Sequence, residues 1–126
     1  MPMYVGIDLV CLDEIRESLE THGDRYLRRI YTARERLQCG QSVRRLAGRF
    51  AAKEATMKAL GGSDPQLPWN SIEVLDAHGG ALAITLNGAA QRLVENRGVR
   101  NLSVSVTHRR SLAAALVLAE RGRCNE

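Results

Sequence analysis

Apolar and polar positions follow two different periods along this chain. Residues 4–10, YVGIDLV, are a short run of bulky apolar types broken by one acid, Asp8, and predict a buried strand. From Leu12 to about Leu19 the spacing of Leu12, Ile15, Ser18 and Leu19 is helical, and Asp13 and Glu14 fall in a first turn where the helix dipole favours acids. His22-Gly23-Asp24 ends that helix. DRYLRRI, residues 24–30, predicts a basic helical piece, and YTARERL, residues 31–37, a short helix capped by Thr32 with Glu35 three residues on. Ser42 to Leu60 predicts the longest helix, stopped by Gly61 and Gly62.

After residue 70 the period shortens. SIEVLD (71–76), ALAITL (81–86), LSVSVT (102–107) and LAAALVLA (112–119) predict strands, with HGG at 78–80 and HRRS at 108–111 as hairpin turns. AAQRLVENRG, residues 89–98, returns to a helical period with a glycine after its last turn. The expectation is an α+β fold, with the long helix and the shorter ones packed on a mostly antiparallel sheet. No repeat, low-complexity tract or linker interrupts the pattern, so residues 1–126 read as one domain.

Composition narrows the partners. Eighteen basic residues against 14 acidic ones give a net charge of +4, which favours something negatively charged: nucleic acid, an acidic protein or a phosphorylated small molecule. One Trp, three Tyr and one Phe offer little for base stacking, and no nucleic-acid motif is present, so that partner is set aside. No run approaches the roughly 18 apolar residues of a membrane span, and MPMYVGIDLV lacks the features of a secretion signal. No membrane association and a cytoplasmic location are expected. Cys11, Cys39 and Cys124 are odd in number and widely spread, which predicts free thiols.

RFAAKEATMKALGG, residues 49–62, carries the chemistry. At about 100° per residue, Leu46, Phe50, Met57 and Leu60 fall on one stripe that is expected to face the core. Beside it runs a row of Ala47, Ala51, Glu54 and Lys58, with Arg49 and Lys53 adding cation on the other flank. Glu54 and Lys58 read either as a surface ion pair or as part of a site, and the alanines suit close approach of a backbone or a flat ligand. A P-loop is excluded, because its glycines precede a helix whereas these follow one, at the end whose dipole repels anions. Phosphate held here needs side-chain cations or a metal. Asp8, buried in its strand, likewise needs a partner: a cation, a helix N-terminus or a metal. A lone Asp and a lone Glu suit Mg²⁺, which takes one or two carboxylates, waters and phosphate oxygens.

With those residues in view, the sequence resembles the holo-acyl-carrier-protein synthases, the small trimeric class of 4′-phosphopantetheinyl transferases. GIDLV at 6–10, GDRYLRRIYTARE at 23–35, LAGRFAAKEATMKALGG at 46–62 and SVSVTHRRSLAAALVLAE at 103–120 carry the likeness, in the family's order and over almost the whole chain. The resemblance implies Asp8 and Glu54 as magnesium ligands and Lys58 as a contact to the coenzyme A phosphates. It implies Arg49 and Gly61 at the same nucleotide site, with His108 nearby across a subunit boundary of a homotrimer. The implied reaction moves phosphopantetheine from coenzyme A to a serine of an apo acyl carrier protein or dedicated carrier domain, releasing adenosine 3′,5′-bisphosphate. Glu54, or a water it orients, is the candidate acceptor of the serine proton, with Lys58 as the other catalytic candidate.

Two departures from the family pattern stand out. Position 14 is Glu14 where an arginine that meets the carrier is common, with Arg25, Arg28 and Arg29 as candidates for compensating charge. Arg109-Arg110 follows His108 where a small polar or acidic residue is common. A module that binds carrier or coenzyme A without catalysis is the second reading.

Overall fold

A computed structural model describes residues 3–61 and 67–122. Strand β1 (Met3–Cys11) leads into helices α1 (Leu12–His22), α2 (Asp24–Ile30), α3 (Ala33–Cys39) and α4 (Val43–Ala59). Strands β2 (Ile72–Asp76) and β3 (Leu82–Leu86), helix α5 (Gly88–Arg97), and strands β4 (Val99–Arg109) and β5 (Leu112–Arg121) follow. Gly62 and Cys124 lie outside the described residues, while Cys11 and Cys39 are free thiols.

The α+β expectation holds, with one refinement. The strands form two antiparallel sheets: a three-stranded sheet in the order β1-β5-β4, and a separate hairpin of β2 and β3. The local stop and start signals act as read. Gly23 breaks α1 from α2 at φ 53°, and Ser42 caps α4 by accepting from the Arg45 amide at 3.1 Å. In α3 the Thr32 hydroxyl accepts from the Glu35 amide at 3.1 Å while the Glu35 carboxylate accepts from the Thr32 amide at 2.8 Å. Only two residues, Arg110 and Ser111, turn β4 into β5, and Arg110 takes a positive φ of 55° to do it.

Helix α4 packs across β1 and β5, and here the expected core stripe needs correction. Leu46 and Leu60 are buried, but Phe50 and Met57 are only half-buried, and Phe50 instead stacks near Trp69 with ring centroids 5.1 Å apart. The face against the sheet is the small-residue row, Ala47, Ala51, Ala55 and Ala59, met by Ala113, Ala115 and Ala119 of β5. The two surfaces approach so closely that a methyl at Gly6 of β1 would sit 1.8 Å from the Ala55 carbonyl oxygen. Bulk on either side would force them apart. The alanine row thus admits a neighbouring backbone, and that backbone is β1.

Lys53 is a second correction. It is not a flank cation but a fully buried one, 2.7 Å from the equally buried Glu35. A lysine stem long enough to reach the α2–α3 layer and a carboxylate waiting there override the surface position that its charge alone suggests. Its ammonium also donates to the carbonyls of Ile30 (2.8 Å), Trp69 (3.1 Å) and Ile72 (2.8 Å). Removing either ion would strand the other, at roughly 3–5 kcal/mol.

Candidate active site

Alternation along β1 turns Gly6, Asp8 and Val10 inward toward α4, and Met3, Val5, Ile7 and Leu9 outward. Asp8 is buried, and it does not cap α1, whose N-cap residue Cys11 makes no side-chain capping bond. Its partner is Lys58 on α4, whose ammonium donates to Asp8 Oδ1 at 2.8 Å and to the Ile7 carbonyl at 3.3 Å. Lys58 therefore pairs across the fold rather than with Glu54 one turn before it. The other Asp8 oxygen, Oδ2, is buried with no hydrogen-bond partner among the described residues.

Glu54 completes the group. Burial, then the neighbouring Asp8 carboxylate, push the Glu54 carboxyl up to about 7. Lys58 opposes that rise, and Glu14 of α1 adds to it. The hydrogen bond to Asp8 raises Lys58, which therefore stays cationic at neutral pH. Two acids crowded together, one with an orphaned buried oxygen, make an arrangement that an added positive charge would relieve. Among the described residues no three His, Cys, Asp or Glu side chains converge, and the acids that meet at this site are Asp8 and Glu54. That donor set fits Mg²⁺, which keeps several waters and shares phosphate oxygens.

Arg49 and His108 belong to a different cluster on the same chain. A cavity of about 380 Å³ is lined by Arg45, Gly48, Arg49, Gly80, Leu82 and His108. Arg49 is buried and donates to Asp76 at 2.8 Å and to the Gln38 amide oxygen at 3.1 Å, while Arg45 reaches the other Asp76 oxygen at 3.1 Å. The Arg49 bond holds Asp76 below its ordinary range. His108 Nε2 sits 2.9 Å from the Arg44 carbonyl, packed where a methyl on Gly48 would collide with it. Burial pushes its imidazole down, so it is neutral at pH 7.

Arg49 precedes Glu54 by five residues and Lys58 by nine, about 7.5 Å and 13 Å of helix rise, and points about 140° round the axis from Glu54. The sequence-predicted residues thus fall into two groups, Asp8–Glu54–Lys58 and Arg49–His108, which one chain does not bring together. Gly61 stands just past the helix end at φ 108°, where a methyl would lie 2.4 Å from the Arg97 guanidinium. Its backbone angle favours glycine, whereas the Arg97 guanidinium is the mobile end of a long side chain that can move aside.

A second cleft, of about 420 Å³, has His22, Arg25 and Arg29 around Tyr26, Phe50 and Trp69. Sequence reasoning flagged its arginines but missed the aromatic floor, because Phe50 reads as core and Trp69 lies outside any periodic segment. Asp76 was missed too. An acid closing a strand before a turn has no local mark of its role as partner to two arginines of another element.

This fold and this convergence of acids with a lysine define a family. The model of the 4′-phosphopantetheinyl transferase superfamily matches residues 4–117, and the chain belongs to it. Within that family it is similar to the holo-[acyl-carrier-protein] synthase of Solibacter usitatus (strain Ellin6076), 40% identical over 124 residues that cover 95% of this chain and 99% of that protein. Its structure is similar to that of the Helicobacter pylori holo-[acyl-carrier-protein] synthase in complex with coenzyme A, with a TM-score of 0.84 and 27% identity, covering 92% of this chain and 99% of that one. The Chronobacterium ammoniagenes coenzyme A complex matches with a TM-score of 0.84 and 33% identity, covering 98% of this chain and all (100%) of the other.

Proposed function

We propose that this chain catalyses the Mg²⁺-dependent transfer of 4′-phosphopantetheine from coenzyme A to a serine of an apo acyl carrier protein, acting in the cytoplasm as a homotrimer. The observation that carries the reading is the convergence of Asp8, with its unpartnered buried oxygen, Glu54, pushed up to about 7, and Lys58, 2.8 Å from Asp8.

Asp8 and Glu54 would hold the ion, which when bound neutralises charge building on the pyrophosphate as the bond to the leaving phosphate breaks. The serine oxygen attacks the phosphorus that bears pantetheine. The bond from that phosphorus to the bridging oxygen breaks, and adenosine 3′,5′-bisphosphate leaves. Lys58, cationic and more than half exposed at 52%, reaches the phosphates from the solvent side of Asp8. Glu54, or a water it orients, accepts the serine proton.

Arg49, Gly61 and His108 are assigned to the nucleotide. Arg49 and His108 face the Asp76 side of α4 while Glu54 faces Asp8, and this is the argument for a second copy, which brings its Arg49–His108 cluster to the acids of the first. The outer face of the three-stranded sheet supplies the contact: Val5, Ile7 and Leu9 of β1 are 56%, 65% and 64% exposed, with Leu112 and Leu116 of β5 beside them. Such an apolar patch on a separate chain favours association. The carrier is assigned to the cleft of His22, Arg25 and Arg29, whose aromatic floor and basic rim suit an acidic amphipathic helix. Arg25 and Arg29 line it and are exposed, as is Arg28 of the same helix, and together they offset the acidic Glu14.

Incubating the protein with several apo carriers, coenzyme A and Mg²⁺ should add the phosphopantetheine mass to at least one, read by intact mass spectrometry. Asp8→Ala and Glu54→Ala should abolish the gain. Carrier binding without transfer by the wild-type protein would leave a binding module and sink the proposal.

A further inference from the structure

The face that α4 turns to the sheet is nearly smooth. Alanines at 47, 51, 55 and 59 lie toward β5, where alanines at 113, 115 and 119 leave Val117 as the one branched side chain on that strand's inward face, so interlocking against rotation of the helix about its own axis is modest. Rotation matters at the site, because a carboxylate about 6 Å from the axis moves about 1 Å for every 10°. Magnesium demands near-ideal geometry from its ligands. Something directional must therefore set the angle of α4.

Among the directional contacts of α4, which include Arg49 to Asp76 and Lys58 to Asp8, Lys53 is the fully buried one and the immediate neighbour of Glu54. Its ammonium is fully buried and held by Glu35 at 2.7 Å and by the carbonyls of Ile30, Trp69 and Ile72 at 2.8, 3.1 and 2.8 Å. Those acceptors come from α2, the turn before β2, and β2 itself. Glu35 is in turn fixed by the amides of Thr32 at 2.8 Å and Val74 at 2.7 Å. Consecutive helical residues point about 100° apart, so a pinned Lys53 dictates where Glu54 points. Two of the carbonyls, Ile30 and Trp69, belong to residues that line the aromatic and basic cleft. The same ammonium thus joins the floor of that cleft to the helix carrying Glu54.

We infer that Lys53, clamped by Glu35 and the three carbonyls, is a positioning residue that sets the direction of Glu54 and ties it to the floor of the Arg25–Trp69 cleft. The inference rests on the metal reading of Asp8 and Glu54 above. A merely structural pair would lower the melting point but leave the folded fraction with native metal affinity.

The test uses Mn²⁺ as the probe, followed by electron paramagnetic resonance of the free ion. The double variant Glu35→Gln/Lys53→Met removes both charges at similar volume, and its folded form is expected to bind Mn²⁺ about tenfold or more weakly. Its kcat should fall while KM for coenzyme A stays near the wild-type value. Wild-type Mn²⁺ affinity in a variant with a native circular dichroism spectrum overturns the inference. No Mn²⁺ uptake by the wild-type protein overturns the metal reading, and this inference with it.

A second measurement needs no variant. In the wild-type protein, saturating Mg²⁺ is expected to slow hydrogen exchange at the Thr32 and Val74 amides, which bind Glu35, by about tenfold more than at Val94 of α5. Equal protection at all three amides overturns the inference.

Discussion

The Lys58 ammonium lies 2.8 Å from the Asp8 carboxylate although 50 residues separate them, which joins β1 to α4 at the point where the second acid, Glu54, also arrives. Lys58→Ala should still fold but with a lower melting temperature, because it strips the buried Asp8 carboxylate of its ammonium partner. Its kcat/KM for coenzyme A should fall by about 10²–10³-fold through loss of charge stabilisation at the phosphates. Steady-state assays of carrier modification, paired with thermal denaturation, check both halves.

Glu54 predicts how stability responds to pH. Without magnesium the folded protein keeps the Glu54 proton up to about 7, whereas the unfolded chain releases it near 4.5. Between those values the unfolded state binds fewer protons, so stability contributed at this position falls as pH rises through the window. Magnesium favours the ionised acid. Its addition should raise the melting temperature more at about pH 8 than at about pH 5.5, and Glu54→Gln should remove most of that difference.

The contact between β1 and α4 leaves no room for a methyl. Gly6→Ala places a carbon 1.8 Å from the Ala55 carbonyl oxygen, a clash with backbone on a packed helix rather than with a movable side chain. A loss of about 1–3 kcal/mol or more in urea unfolding is expected. Asp8 neighbours that position, so magnesium-dependent activity should fall beyond what the unfolded fraction explains.

The outer sheet face gives a test of assembly. Ile7→Lys puts a charge at a residue 65% exposed in the single chain. Sedimentation should move from trimer toward monomer, and transfer should fall by at least about tenfold, since monomers cannot unite the two residue clusters. A wild-type protein that sediments as a monomer at working concentration would remove the case for a shared site.

Much of this arrangement is legible before any coordinates. The caps of α3 and α4, the break at Gly23 and the strand pairs come from local chemistry, which sequence reports well. Asp8 stands out because an acid in an apolar run has to be answered by something, and Lys58 answers it. What sequence hides is direction. Lys53, Glu54 and Lys58 are three charges on one helix, yet one is sealed inside, one is half-buried and one is exposed. Helical spacing alone placed Lys53 on the surface, because the carboxylate that draws it inward lies 18 positions earlier, as the difference of residues 53 and 35. Phe50 was misassigned for a related reason: size suggests core, but the tight helix–sheet contact selects for smallness and turns the ring toward Trp69. The split of the strands into two sheets is a matter of pairing partners, which alternation does not encode.

The socket at Gly6 also governs folding fidelity. If β1 slid by one residue relative to α4, Asp8 would swap faces with Ile7 or Leu9 and the outward apolar side chains would turn inward. A slide by two preserves the faces but drives Tyr4 or Asp8 into the gap beneath the Ala55 carbonyl, which has no space for either. A missing side chain thus works as a register gauge, rejecting misaligned strands before Asp8 and Glu54 can meet.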